Sequence, residues 1–394
     1  MGWKETCVME ERFRFVQEHQ AEECSFAELC RRYGVSRQTG YKWVKRYEEG
    51  GLEGLGDQSR APDRHPNEVL PEVADVVLEM RREHPHWGPL KLRHRLQKEE
   101  PEILWPAAST IGEMLKRAGL TVPRKHRRRA TPAQSPLSHA TAANQVWSAD
   151  FKGWFRCGDG SRCDPLTMSD GCSRFLLRCQ AMEGTASHPV HAVMEATFLE
   201  YGLPDAIRTD NGEPFGSVGL AGLSELSVWW IKLGIRPERI QPGKPQQNGR
   251  HERMHRSLKQ STAQPPAGNL RAQQKAFDRF CQEYNWERPH EALGMKTPGE
   301  IYMASHRPYP TRLLEPEYHD EWEVRGVGAC GTIKWRNARI FVGKVLSGER
   351  IGLEPVADGE WKLWLFQYPL GILDARQGRI RKLQGPGPNQ DTKA

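Results

Sequence analysis

Gln145-Val146-Trp147-Ser148-Ala149-Asp150-Phe151 is an apolar run closing on an acid, and its alternation predicts a β-strand with Asp150 at its end. A second such run, Ala206-Ile207-Arg208-Thr209-Asp210-Asn211-Gly212, closes on Asp210. A third acid, Glu252, lies in Gln241-Pro242-Gly243-Lys244-Pro245-Gln246-Gln247-Asn248-Gly249-Arg250-His251-Glu252-Arg253, where a Gly/Pro loop gives way to a helix. Taken singly, a strand-end Asp is more often a turn former and a helical Glu among arginines a surface ion pair. Together the three offer hard oxygen ligands of the kind that hold divalent ions. The pattern predicts a metal-dependent nucleic-acid phosphoryl-transfer site. Mg2+, or Mn2+ in its place, binds through carboxylates, and two ions per site can grip an in-line displacement at phosphorus.

Helical spacing predicts one face of the last segment carrying Asn248, Glu252, His255, Arg256 and Lys259, with Met254 and Leu258 on the adjoining packable face. Arg256 and Lys259 would then face the phosphates of a bound strand. From Lys232 to Lys259 the eight cations 232, 236, 239, 244, 250, 253, 256 and 259 face only Glu238 and Glu252. Asp159, Asp164 and Asp170 compete for the first acidic position: Asp159, between Gly158 and Gly160, reads as a hairpin turn, and Asp170 is a candidate support.

Around these acids the pattern gives strands near 145–157, 164–170, 174–182 and 205–209. A helix with Val190, Val193, Met194 and Phe198 inward follows the third strand, and further helices lie at about 223–233, 246–260 and 270–285. That is a mixed α/β domain over 144–305. Ahead of it, 1–58 reads as three helices with Phe13, Val16, Phe26, Leu29, Val44 and Tyr47 inward. Gly34 makes the turn, and Ser36 caps a third helix presenting Arg37, Gln38, Lys42 and Lys45 outward. This is a helix-turn-helix pattern suited to DNA. A hinge rich in Gly and Pro spans 50–66. A second helical unit, also helix-turn-helix-like, covers 66–122, with Val73, Val76, Val77, Met80, Leu92, Leu96, Ile111 and Leu115 at core spacing. A basic linker over 123–143 carries Arg124, Lys125, Arg127, Arg128 and Arg129, able to follow a phosphate backbone. About five short strands over 320–376 suggest a small β-barrel, and 377–394 a disordered tail.

Composition bounds the class. At 394 residues the chain holds two to four domains of about 100–200 residues each. Its mean hydropathy is −0.72, and no apolar run is long enough for a membrane span, so a soluble, intracellular, nucleoid-associated protein is expected. The net charge of +7 is uneven: from Met114 to Ala149 there are seven Lys/Arg and no acid. Nine scattered cysteines lack ligand or disulfide spacing and are expected as reduced, small core residues.

At these motifs the chain resembles bacterial insertion-sequence transposases of the Asp-Asp-Glu class with a retroviral-integrase-type core. The resemblance rests on Trp147–Phe151, Arg208–Phe215 and Lys244–Arg253, and on Tyr284-Asn285-Trp286-Glu287-Arg288-Pro289-His290-Glu291-Ala292-Leu293 with Thr297-Pro298. It implies a ribonuclease-H-like core with Asp150, Asp210 and Glu252 as a catalytic, metal-binding triad, supported by Asn211, Gly212, Asn248 and Gly249. It also implies cleavage at the ends of a DNA element, strand transfer into target DNA by the freed 3′-hydroxyls, and homo-oligomers on paired ends. The 41 residues between Asp210 and Glu252 exceed the integrase prototype, which points to a loop insertion at Gly219–Leu226. Two other readings fit less of the chain. A catalytically inactive DNA-binding regulator leaves an intact acid set unexplained, and a nuclease for RNA–DNA hybrids or branched DNA leaves residues 1–122 without a task.

Overall fold

The computed structural model describes residues 7–57, 69–121, 140–240, 249–313 and 315–383, in two units that divide at Val69/Leu70. The expected contacts of Arg124, Lys125, Arg127, Arg128, Arg129 and Asn248 lie outside the described residues. No helix among the described residues is long and apolar enough to cross a membrane.

The first unit holds α1 (Val8–Gln20), α2 (Phe26–Arg32) and α3 (Arg37–Gly50). Gly34 takes φ +64 between α2 and α3, and the Ser36 hydroxyl accepts from the Thr39 amide at 3.1 Å, which sets where α3 begins. Phe15, Val16, Leu29, Cys30, Trp43, Val44 and Leu55 form its core. Gly40 lets α3 approach closely, since a Cβ there would meet the Phe26 and Phe15 rings at 2.8 and 2.9 Å. Trp43, which the pattern left out, is capped by the Arg12 guanidinium 3.7 Å from the ring centroid. The start of the expected hinge is packed: a 3-10 turn at Gly51–Leu55 buries Leu55, and Arg12 donates to its carbonyl at 2.7 Å.

The second unit opens with α4 (Pro71–Glu83), α5 (Pro89–Glu99) and α6 (Ala108–Arg117) around Val77, Trp87, Leu92, Leu96, Trp105, Ile111 and Leu115. Val76 faces solvent instead, and Trp87 and Trp105 supply the bulk. This helical group docks on the α/β domain, with Trp87 Nε1 donating to Glu283 at 2.8 Å and Lys98 pairing with Glu300 at 2.5 Å.

The α/β domain is built on β1 (Val146–Phe151), β2 (Phe155–Arg156), β3 (Arg162–Asp170), β4 (Leu176–Met182), β5 (Ala206–Thr209) and β6 (Arg236–Arg239). Their order is β2-β3-β1-β5-β6 with β4 also on β3; β3 is antiparallel to β1, whereas β1, β5 and β6 run parallel. This is the mixed sheet expected of a ribonuclease-H-like core. Strand alternation splits its faces. Trp147, Ala149, Leu166, Met168 and Ile207 pack in one core with α7 (Ser187–Tyr201) and α8 (Glu225–Lys232). Cys163, Cys179 and Ala181 face α9 (Gly249–Thr262) and α10 (Leu270–Gln282) through Met254, Leu258, Phe277 and Phe280. All nine cysteines are free; Cys30, Cys157, Cys163 and Cys179 are buried as expected, while Cys7 and Cys330 are exposed.

The C-terminal region is β-rich, with seven strands where about five were expected. They are β7 (Glu323–Gly326), β8 (Thr332–Trp335), β9 (Ala338–Phe341), β10 (Arg350–Ala357), β11 (Glu360–Leu365), β12 (Tyr368–Asp374) and β13 (Arg379–Arg381). They form an antiparallel sheet, β13-β12-β11-β10-β7, and a separate β8–β9 hairpin over one core. β13 falls in the expected tail: Ile380 is its only apolar residue, a signal too faint to read, yet it packs against that core. The same core takes in Leu223, Val228 and Ile231, so the outer side of α8 docks the sheet, reinforced by Lys232–Glu349 at 2.7 Å. The Gly219–Leu226 segment is part of this seam, with Leu220 and Ala221 packed on the C-terminal core.

Candidate active site

Asp150 sits one residue from the end of β1, opposite Thr167 of antiparallel β3. Ser148 pairs with Arg208 of parallel β5, so two residues on, Asp150 and Asp210 leave neighbouring strands on the same side of the sheet. That side faces α9. The Asp210 carboxylate accepts from the Gly212 amide at 3.2 Å, and Asn211 Nδ2 donates to the Ile240 carbonyl at 2.9 Å, tying this turn to the end of β6. Gly249 starts α9, and Glu252, Arg256 and Lys259 are exposed along it.

His255 departs from the expected helix face. His251, Met254, His255, Leu258 and Thr262 form the buried stripe of α9, so His255 turns inward while Glu252 stays on the exposed flank. Thr167 Oγ1 lies 2.7 Å from Nε2 of both His251 and His255, and 3.1 Å from the Asp150 carbonyl. Ser169 Oγ meets the other His251 nitrogen at 2.9 Å. Nδ1 of His255 is 4.0 Å from the Asp150 carboxylate. Burial holds His251 down to about 3 and His255 down to about 2, so both rings are neutral and the His255–Asp150 contact is not an ion pair. The pair is a buried, uncharged floor beneath Asp150. The helix reading put Met254 and Leu258 on the packed side, but nothing in it told that this side extends to His251 and His255 and meets β3.

Electrostatics focus on Asp150. Burial, then the charge of Asp210, push its carboxyl up to about 7, with Glu252 adding in the same direction. Three acids thus share one field, and a cation among them would relieve it. Asp150, His251 and His255 also place ligand atoms within 4.8 Å of one another, but the hydroxyl contacts already occupy both His251 nitrogens and His255 Nε2. Carboxylate oxygen is the harder donor, and Asp210 and Glu252 stand outside this close cluster. Arg239, at the end of β6, feels the Asp210 charge, while burial holds its guanidinium below the usual range.

The competing acids have other tasks. Asp159 accepts from the Ser161 amide and hydroxyl at 2.9 and 2.6 Å, the expected turn. Asp164 is paired with Arg162 at 2.6 Å. Asp170 does not support the site as expected: its oxygens take the Asn144 amide at 2.8 Å and the Ser173 amide and hydroxyl at 2.7 Å, which fixes the start of β1 against the β3–β4 turn. In the first unit, Arg37, Gln38, Lys42 and Lys45 are all exposed on α3.

Family models match almost every part of the described chain. A helix-turn-helix domain covers 11–63 and a homeodomain-like domain 39–115. Two integrase core domain models cover 140–245 and 233–298, and the C-terminal domain of IS481 family transposases covers 322–381. In chain order these models are helix-turn-helix, integrase core and IS481-family transposase C-terminal domain. Among curated relatives, an uncharacterized 31.7 kDa protein of insertion element IS407 from Burkholderia multivorans is 28% identical over 62% of this chain and 84% of its own length. An uncharacterized 39.2 kDa protein of insertion element IS476 from Xanthomonas euvesicatoria is 25% identical over 64% and 71%. Among solved structures, an intasome of simian T-cell lymphotropic virus is similar at 16% identity and TM-score 0.37, covering 74% of this chain and 97% of that one.

Proposed function

We propose that the chain is a DNA transposase whose integrase core cuts the ends of its element and joins them to target DNA, with Asp150, Asp210 and Glu252 as the catalytic acids. The reading rests above all on the β1–β5 register, which sets Asp150 and Asp210 side by side beneath α9, with Asp150 raised to about 7 by burial and by its neighbour. Divalent cations such as Mg2+ or Mn2+, held by these carboxylates, would neutralise charge building on phosphorus during in-line displacement. The chain's own groups do the rest. Neutral His255 and Thr167 hold the Asp150 segment still without adding a competing charge. Arg256 and Lys259, one and two turns beyond Glu252 on its exposed flank, offer cations to a strand lying along α9. Arg37, Gln38, Lys42 and Lys45 on α3 are the groups to read the element's terminal repeats, from a helix whose opposite side is the packed one. Assembly of several copies on paired ends belongs to the same reading. The test is nicking and strand transfer with Mn2+ on DNA taken from the flanks of the coding region. Asp150→Asn is expected to lose both while gel-shift binding to the same DNA persists; full activity in that variant sinks the assignment.

A further inference from the structure

The opposite flank of α9 carries a second cleft, of about 400 Å³, outside the acid site. Lys91 of α5, Arg174 of the β3–β4 turn, Arg250 and Arg253 of α9, and Arg288 with His290 beyond α10 converge on it, and Glu291 is the one carboxylate in its lining. Four separate parts of the unit thus bring five cations to one cavity.

Such convergence is unfavourable without an anion. Burial, followed by the charge of Arg288, holds Lys91 down to about 8. Arg174 and Arg288 are held below the usual guanidinium range by burial, and His290 down to about 3 by burial and then Lys91. Three nitrogens are also left over. Nε of Arg174, Nε of Arg288 and Nε2 of His290 are buried with no hydrogen-bond partner among the described residues. Buried polar nitrogens without partners are rare enough that each needs an explanation, and the two guanidinium nitrogens are donors that only an acceptor could satisfy. Arg174 further adopts φ +64, where glycine is the unstrained choice. Arg250 anchors the mouth by donating to the Gly171 carbonyl at 2.8 Å.

We propose that this cleft is a phosphate-binding site, which takes a backbone phosphate of the DNA strand engaged at the acid site. The inference deepens the transposase reading and rests on it. DNA is favoured over a free anion by position. Arg250 and Arg253 flank Glu252 in sequence and are themselves exposed, so the cleft opens along the same helix that carries the acid. The buried stripe of α9 separates the two flanks, placing them about 10 Å apart, the thickness of a helix. That is close to the rise of three nucleotides, at about 3.4 Å each along one strand of a duplex. A phosphate clamped there would set which phosphodiester reaches Asp150, Asp210 and Glu252.

The test measures binding of the full chain to a fluorescein-labelled random-sequence duplex across a salt series in EDTA, so that cleavage plays no part. Arg174→Gln/Arg288→Gln and, separately, the rim variant Arg250→Gln are expected to flatten the slope of log K against log salt by about 0.9 per lost phosphate contact. Wild-type slopes in both, with unchanged circular dichroism, overturn the proposal. Should the double variant fail to fold, Arg250→Gln and the charge-keeping Arg288→Lys decide, the first flattened and the second near wild type. A parallel thermal-shift arm uses inorganic phosphate at constant ionic strength. Stabilisation of wild type but not the double variant, with unchanged duplex slopes, assigns the cleft to a free anion and overturns the DNA proposal. Wild type that never nicks DNA with Mn2+, yet shows the slope change, keeps the cleft and removes the catalytic reading.

Discussion

The two flanks of α9 make opposite use of the same physics. On one, Asp150, Asp210 and Glu252 gather over a neutral histidine floor, where burial and then the charge of Asp210 raise Asp150 to about 7. On the other, five cations crowd around a cavity, where burial and then the charge of Arg288 hold Lys91 down to about 8. Between them run Met254, Leu258 and the two buried histidines, which carry no charge and so let the two fields coexist. Each flank is unfavourable alone and is relieved by a ligand of the opposite sign. A nucleic-acid strand with its divalent ions supplies both at once. On the reading proposed above, α9 is less a carrier of one catalytic residue than a partition between a cation site and an anion site.

The largest effect expected is at the acids. Asp150→Asn should lower Mn2+-dependent nicking by about three orders of magnitude, several kcal/mol of transition-state stabilisation, in a single-turnover assay. It should leave phosphate stabilisation at the cationic flank intact; loss of both would show that the flanks are not separable. Next, His255→Ala should cost about 10–100-fold in nicking rate or metal affinity, the usual effect of removing a group that orients a ligand. A titration with Mn2+ shows whether the loss is in affinity. Mg2+ should raise the melting temperature of wild type and not of Asp150→Asn, read by calorimetry; equal shifts would place the ion elsewhere.

The cationic flank gives a pH signature. Lys91 faces Arg288, Arg174, Glu291 and Glu283, and its lowered value means the folded state binds fewer protons than the unfolded chain between about 8 and its ordinary 10.5. Stability without phosphate should therefore rise with pH across that window, while the stabilisation given by phosphate shrinks. Lys91→Met should remove both trends in melting curves. The smallest effect is expected at Arg256→Gln, an exposed cation on the acid flank: a change in salt slope of no more than about 0.9, with folding untouched.

Much of this was legible beforehand. The strand ends at Asp150 and Asp210 stood out because apolar alternation stops there, and Ser36 and Gly34 marked the helix-turn-helix because caps and left-handed turns depend on local residues. Other elements gave no local signal. β6, Arg236-Pro237-Glu238-Arg239, is a strand only because β5 pairs with it, and its buried Glu238 is met by Arg208 and Arg236 at 2.9 Å. Asp170 looked like a fourth site acid and is instead the staple between Asn144 and Ser173.

By itself, then, the sequence determined the kinds of elements, their order, and which carboxylates stand at strand ends, because hydrophobic period and capping chemistry act within a few residues. Only the tertiary structure decided how far the buried side of α9 extends beyond Met254 and Leu258, and hence that His255 belongs beneath Asp150 rather than beside Arg256. It alone gathered Lys91, Arg174, Arg250, Arg253 and Arg288 around one cavity. Those cations lie up to about two hundred positions apart, and repulsion among them leaves no mark on local pattern. Their meeting is imposed by the packing of α5, the β3–β4 turn, α9 and the segment after α10.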